Sequence, residues 1–121
     1  VLEGVALALR DALELVGPVG AAWVSGGGAR STLWLRIVAS ALGLPLERVA
    51  VDEGAAYGAA LLGGVAAGVW GSIDEGVAAC VRVREVVEPE PAWTERYAEL
   101  HPRFRALYPA LHPVPDPRGQ P

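Results

Sequence analysis

The stretch VSGGGARS, residues 24–31, joins a short apolar run to a segment whose apolar residues are spaced as in a helix. The run before it, residues 19–24, is uncharged and follows a Gly-Pro breaker, which is typical of a buried strand. After it, apolar residues recur every three or four positions until Gly43, as in a helix that ends at a glycine. The stretch is therefore predicted to be the turn between a buried strand and a helix.

Three consecutive glycines, Gly26, Gly27 and Gly28, let a ligand approach the backbone of this turn closely. The start of the following helix adds unpaired amide groups and a partial positive charge of about half a unit. We therefore expect a nucleotide to bind here. A flexible turn without a ligand fits the same spacing, so the residues alone leave both interpretations open.

The composition is that of a globular protein without lysine. The chain is 52% hydrophobic and carries a net charge of −4, which gives no reason to expect a nucleic-acid partner. All ten basic residues are arginines, so neither a P-loop lysine nor a Schiff-base lysine is possible within this chain. The single Cys80 forms no internal disulfide, and no signal-peptide pattern is visible. We expect a cytoplasmic location.

Helices and strands alternate along the chain, in the order helix, strand, helix, strand, two helices, a weak edge strand and a last helix. This order favours an α/β fold with a parallel sheet. Two well-defined strands make a thin sheet, and the chain opens in a helical pattern without an initiator Met. We therefore expect part of a longer protein that exposes a sheet edge and apolar helix faces, and that forms a homodimer or aggregates.

The third helix, residues 53–69, is predicted to be buried, because small residues such as Ala55, Ala59 and Gly63 recur four positions apart. Such a face allows close approach to a neighbouring helix. The uncharged run is long enough to span a bilayer, but its Gly and Ala content favours a soluble helix. Pro102 is expected to kink or split the last helix, and residues 113–121 are expected to be a disordered Pro-rich tail.

No set of residues suggests a catalytic or metal site. His101 and His112 are predicted to be solvated surface residues, and Cys80 is predicted to be packed rather than nucleophilic. The acids Asp52 and Glu53 are interpreted as a cap for the third helix.

Two other interpretations fit the same residues. In a dinucleotide-binding module of the Rossmann type, Gly26 and Gly28 would contact the pyrophosphate, and Asp52, 24 residues after Gly28, would contact the ribose. Against this, Ser31 replaces the third glycine of that motif, and a whole helix precedes the first strand. The third interpretation is a non-catalytic α/β interaction domain.

Four segments, taken in order, resemble the C-terminal part of the FGGY family of carbohydrate kinases. The resemblance extends to about His112, and its last segment looks most like that of bacterial xylulokinases. It implies that residues 1–112 are part of an actin-like ATPase (ribonuclease H-like) domain, namely its C-terminal βαβα portion and a terminal helix. The segments are SGGGARSTLW at 25–34, ALGLPL at 41–46, EGAAYGAA at 53–60, and VEPEP at 87–91 with HPRFRALYP at 101–109.

The resemblance also implies ATP-dependent phosphorylation of a sugar, a pentulose such as D-xylulose, with Mg²⁺ held mainly by parts of the kinase that precede this chain. No Asp of this chain matches the catalytic base of the family, so the chain alone is expected to be inactive. The sugar would reach the enzyme through the N-terminal domain, and ATP or ADP would bind the turn. The turn residues implied are Gly26, Gly27, Gly28 and Ala29, with Ser31 and Thr32 near the adenine or ribose.

Overall fold

The computed structural model describes residues 1–51 and 54–112, which form five α-helices and three strands. A short 3-10 turn, Gly27–Arg30, separates the first strand from the second helix. The acids at 52 and 53 and the predicted disordered tail, 113–121, lie outside the described residues. The elements are α1 (Leu2–Val16), β1 (Ala22–Val24), α2 (Thr32–Leu42), β2 (Leu46–Val49), α3 (Gly54–Ala66), α4 (Ile73–Cys80), β3 (Val83–Val87) and α5 (Pro91–Leu111).

The three strands form one sheet in the order β1-β2-β3. β1 and β2 are parallel, as expected, because α2 returns the chain to the same end of the sheet. The expectation of a wholly parallel sheet is wrong for β3, which is antiparallel to β2. The reason is that α4 delivers the chain to the carboxyl end of β2, where the amide of Ala50 donates to the carbonyl of Arg82 at 2.9 Å.

Side-chain caps fix the starts of α2 and α4. The hydroxyl of Ser31 accepts a hydrogen bond from the amide of Trp34 at 3.2 Å, which marks the start of α2. At the start of α4, the hydroxyl of Ser72 accepts from the amide of Glu75, whose carboxylate in turn accepts from the amide of Gly71 at 2.7 Å. The predicted start of a helix directly after residues 24–31 is confirmed.

The hydrophobic core lies between the sheet and the helices α1, α2 and α5. α2 is its centre, because six consecutive or nearly consecutive α2 residues are buried and both α1 and α5 pack against it. The buried apolar residues of this core are Ala6, Leu7, Leu35, Ile37, Val38, Ala39, Ala41, Leu44, Leu46, Val87 and Tyr97.

A polar network fastens α2 to the start of α5. The hydroxyl of Ser40, which is fully buried, donates to the carbonyl of Arg36 at 2.7 Å and accepts from the amide of Glu90 at 3.0 Å. The guanidinium of Arg36 binds the carboxylate of Glu90 at 2.7 Å and lies 5.0 Å from the ring centre of Trp93. The buried hydroxyl is thus satisfied, and α5 begins at a fixed point on α2.

The prediction that His101 is solvated is wrong. Its ring is buried between α5 and α1, with Nε2 2.7 Å from a carboxylate oxygen of Asp11 and Nδ1 3.7 Å from one of Glu14. These partners are about 90 residues away in the chain, so local spacing gave no sign of them. His112 is exposed, as predicted, and stacks on Tyr108.

α5 runs without interruption from Pro91 to Leu111, so the expectation that Pro102 splits it is wrong. Contacts along the helix with α1 and α2 hold it in place. One of them is the hydroxyl of Tyr97, which donates to the carboxylate of Glu3 at 3.0 Å. Packing of this kind outweighs the hydrogen bond that a proline removes from a helix.

The prediction that α3 is buried is also wrong, since Leu61 is the only buried residue among its described positions. α3 packs against α4, and most of its small residues face away from this contact and are exposed. The spacing of small residues therefore correctly predicted a helix with a face of small side chains. It did not show whether another element covers that face. Among residues 1–51 and 54–112, no helix is both long and apolar enough to cross a membrane.

α3 and α4 pack together through a tryptophan ring that fits between glycines of the two helices. The indole of Trp70 lies between Gly64 of α3 and Gly76 of α4. A Cβ at Gly64 would overlap the indole ring, and one at Gly76 would lie 3.1 Å from it. At the adjacent Gly63, in contrast, a Cβ would meet no atom within 4 Å.

We therefore expect opposite effects from two neighbouring substitutions in α3. Gly64→Ala should lower the free energy of unfolding by about 1–3 kcal/mol, because the new methyl displaces Trp70. Gly63→Ala should raise it by up to about 1 kcal/mol through better helix propensity. Urea unfolding of both variants measures the difference. Equal stability of the two would contradict the described packing of Trp70.

A second prediction concerns alkaline pH. Burial, the hydrogen bond to Glu3 and the charge of Glu3 together raise the pKa of Tyr97 from 10.0 to about 12. Since the folded state favours the neutral phenol, this stabilisation is complete below pH 10 and is lost as the pH rises towards 12. The free energy of unfolding should therefore fall over this range, and the chain has no lysine to obscure the effect. Tyr97→Phe should flatten the profile, whereas an unchanged slope in that variant would exclude Tyr97 as the cause.

Candidate functional site

The backbone turns sharply at Gly26, just after β1. Its φ of 80° and ψ of −172° lie in a region that only glycine adopts readily. Two hydrogen bonds then close the turn, from the amide of Ala29 to the carbonyl of Gly26 at 3.0 Å and from the amide of Ser31 to the carbonyl of Gly28 at 3.3 Å. The predicted strand-turn-helix arrangement is confirmed.

The other two glycines of the turn have no such conformational reason to be glycine. Gly27 and Gly28 do not adopt positive φ, and both are exposed. A Cβ at Gly27 would meet nothing within 4 Å, and one at Gly28 would touch the indole of Trp34 at an ordinary contact distance of 3.4 Å. The fold therefore requires glycine at 26 but tolerates a side chain at 27 and at 28.

The amides around this turn are available to a ligand. Within the described part of the chain, the amides of Gly27 and Gly28 have no backbone acceptor. They lie next to the N-terminus of α2, whose first residue, Thr32, is exposed. Peptide dipoles give this end of an 11-residue helix a partial positive charge. The turn thus offers hydrogen-bond donors and a favourable potential to an anionic or hydroxyl-bearing ligand.

All six predicted site residues lie on this one continuous turn and the helix start that follows it. Ala29 differs from the others, because it is buried and its methyl group points into the protein. Its amide also donates to the carbonyl of Gly26, so Ala29 shapes the turn from inside. The exposed hydroxyls of Ser31 and Thr32 lie at the start of α2, although that of Ser31 is already engaged by the amide of Trp34.

A cleft of about 320 Å³ lies beside the turn, at the carboxyl ends of β1 and β2 and against α3 and α4. Of the predicted stretch 24–31, only Val24 and Ser25 line it, so the glycine turn lies on the open surface next to it. Sequence reasoning missed this cleft, although ligands of α/β proteins commonly bind at the carboxyl ends of strands. Asp52, which the dinucleotide interpretation requires, lies outside the described residues.

The polar groups on the cleft wall are largely engaged by the protein itself. The hydroxyl of Tyr57 donates to the carbonyl of Cys80 at 2.9 Å. The guanidinium of Arg82 donates to three carbonyls at the end of α4, which include those of Ala78 and Ala79. Arg82 is exposed and caps the end of α4.

A cluster of Asp11, Glu14 and His101 also contains potential metal ligands, whose donor atoms lie within 4.8 Å of one another. Arg105 occupies both carboxylates, at 3.6 Å from Asp11 and 3.3 Å from Glu14, and Arg10 lies 3.8 Å from Glu14. Each ring nitrogen of His101 faces a different carboxylate. We interpret this cluster as an ion-pair network that joins α1 to α5.

Comparison with known proteins identifies the relatives of this fold. Residues 1–67 match the model of the C-terminal domain of the FGGY family of carbohydrate kinases. The chain is 30% identical over 112 residues to the xylulose kinase of Staphylococcus epidermidis, covering 89% of this chain and 23% of that protein. It is 34% identical over 84 residues to the autoinducer-2 kinase of Escherichia coli K12, covering 69% of this chain and 16% of that protein.

A solved structure agrees with these relatives. The xylulose kinase from Rhodospirillum rubrum superimposes with a TM-score of 0.75 at 37% identity, over 93% of this chain and 24% of that one. The chain thus spans about a quarter of the length of the xylulose kinases that it matches. Its α/β fold is that of the matching part of the sugar kinases, within the actin-like ATPase fold. The chain belongs to the FGGY family of carbohydrate kinases, since its residues 1–67 match the C-terminal domain of that family.

Proposed function

We propose that the turn formed by Gly26–Ala29, with Ser31 and Thr32, binds the adenosine part of ATP in an ATP-dependent sugar kinase. The observation that carries this proposal is the pair of exposed glycines, Gly27 and Gly28, that the fold does not need. A glycine without an internal role is explained by close approach of a ligand to the backbone. Membership of a family of carbohydrate kinases supplies the class of ligand.

The proposed substrate is a pentulose such as D-xylulose. Its support is the similarity to two xylulose kinases, one of them over 93% of this chain. The autoinducer-2 kinase shares comparable identity with 69% of this chain but is named for a different substrate. We infer that residues outside this chain choose the substrate, while this chain binds the part of ATP that all such kinases share.

In the proposed reaction, an Asp outside this chain deprotonates a sugar hydroxyl, which attacks the γ-phosphate of ATP. The role of the present residues is to bind and orient the nucleoside. The amides of Gly27 and Gly28 donate to it, and the helix start favours its polar groups. Residues 24–34 contain no carboxylate, so this turn does not suit Mg²⁺, which prefers oxygen ligands such as Asp and Glu.

The remaining proposals concern the chain as a whole. We propose that it is inactive by itself, acts in the cytoplasm, and uses its exposed apolar surfaces in association. The outer edge of β1 has no partner strand among the described residues. Leu2, Val5 and Leu9 form an exposed apolar stripe on α1. These surfaces suit either the rest of a kinase or a second copy of the chain.

Gly27 allows the ligand and the fold to be tested separately. Gly27→Ala should leave the free energy of unfolding within about 0.5 kcal/mol of the parent, because the methyl meets no protein atom. The same methyl should weaken ADP binding about tenfold or more, because it occupies the space through which a ligand approaches the amides. Calorimetric titration with ADP and thermal unfolding measure the two effects.

Gly26→Ala is the matched control. It should destabilise the chain by about 1–3 kcal/mol, because alanine does not readily adopt the backbone angles of Gly26. Unchanged ADP affinity in a well-folded Gly27→Ala chain would refute the proposed site, provided that the parent chain binds ADP. If the parent itself does not bind ADP, the proposal that this chain binds the adenosine part of ATP is wrong for the isolated chain.

A further inference from the structure

We propose that Trp34 is a positioning residue that holds the glycine turn in its binding shape. The predicted effect on nucleotide affinity rests on the proposed function. The structural part of the proposal, the effect on the turn itself, can be tested without any nucleotide. Trp34 lies in the first turn of α2 and was not among the residues that the sequence singled out as binding.

Two contacts connect Trp34 to the turn. Its indole lies against Gly28, so that a Cβ built there would be 3.4 Å from Nε1 and 3.6 Å from Cδ1. Its amide donates to the hydroxyl of Ser31 at 3.2 Å. One residue therefore contacts the turn both near its middle and at its end.

A third contact connects Trp34 to the rest of the protein. The ring is half-buried and packs against the core that α1, α2, α5 and the sheet share. The indole therefore lies between the core on one side and Gly28 on the other. The core is closely packed and does not yield easily, so the ring gives the turn a rigid support.

The turn benefits from such a support because its glycine backbone is costly to order. Three successive glycines lose more backbone entropy on folding than other residues would. Two backbone hydrogen bonds, donated by the amides of Ala29 and Ser31 at 3.0 and 3.3 Å, close the turn. Without the ring, the amides of Gly27 and Gly28 would sample several directions, and a ligand would have to order them on binding.

Trp93 provides a matched control. It is also half-buried and packs against the same core, but it lies at the start of α5, where its ring faces Arg36. Loss of either ring removes a large apolar contact from the core. Only loss of Trp34 removes the contact with Gly28, so effects on the turn separate a positioning role from a general loss of packing.

The test compares Trp34→Leu, Trp34→Phe and Trp93→Leu by hydrogen exchange of the Ala29 and Ser31 amides and by ADP titration. Trp34→Leu should accelerate exchange at these amides about tenfold and weaken ADP binding by a similar factor. Trp34→Phe should largely restore both, because a flat ring still supports Gly28. Trp93→Leu should reduce thermal stability. Once the exchange rates of the Ala29 and Ser31 amides are corrected for that loss of global stability, they should equal those of the parent, and the ADP affinity should be unchanged.

Equal acceleration of exchange in Trp34→Leu and Trp93→Leu would overturn the proposal, because it would show a general loss of packing. Faster exchange in Trp34→Leu without rescue by Trp34→Phe would also overturn it. If no variant and not even the parent binds ADP, the proposed function fails, whereas the exchange data still decide whether Trp34 holds the turn. If Trp34→Leu does not fold, Trp34→Phe and Trp34→Met are compared in the same way.

Discussion

The backbone conformation of Gly26 is the constraint on which the site depends. At its φ of 80° the chain leaves β1 and enters the turn that leads directly into α2. A strand of three residues and a helix of eleven are thereby placed end to end around an exposed loop. The amides of the loop and the positive end of the helix consequently face the same region of the surface.

The remaining structure holds α2 in the position that this turn requires. α1 and α5 pack on two sides of it, and the sheet packs against the same core. Hydrogen bonds and ion pairs fix how these packed helices are oriented. Ser40 and Glu90 tie α5 to α2, and the cluster around His101 ties α5 to α1. Since buried polar groups are costly when a partner is lost, these contacts favour one relative placement of the three helices.

Local sequence patterns correctly predicted those features that depend on neighbouring residues in the chain. Apolar periodicity located the helices and the first two strands, and the glycines with Ser31 located the turn. The sequence could not show that His101 is buried, because its partner Asp11 is 90 residues away. It also could not show that α3 is largely exposed, because a small-residue face specifies close packing but not the partner that provides it. The direction of β3 depends likewise on where α4 returns the chain.

The sequence predicted that the six proposed site residues share one turn, but it could not distinguish what each of them does for the fold. All six residues fall on the predicted turn, yet only the structure separates Gly26, which the backbone requires to be glycine, from Gly27, which it does not. The ring of Trp34 behind Gly28 also emerged only from the fold. Such distinctions depend on dihedral angles and on contacts between side chain and backbone, which spacing does not encode.

The most direct test of the central claim is a titration of the chain with ADP, followed through the backbone amide shifts in NMR spectra. The account predicts the largest shifts at Gly27, Gly28 and Thr32, with little change at His101, which lies in the contact between α1 and α5. Shifts confined to the cleft around Tyr57, or no shifts at all, would contradict the claim that this turn binds the nucleoside.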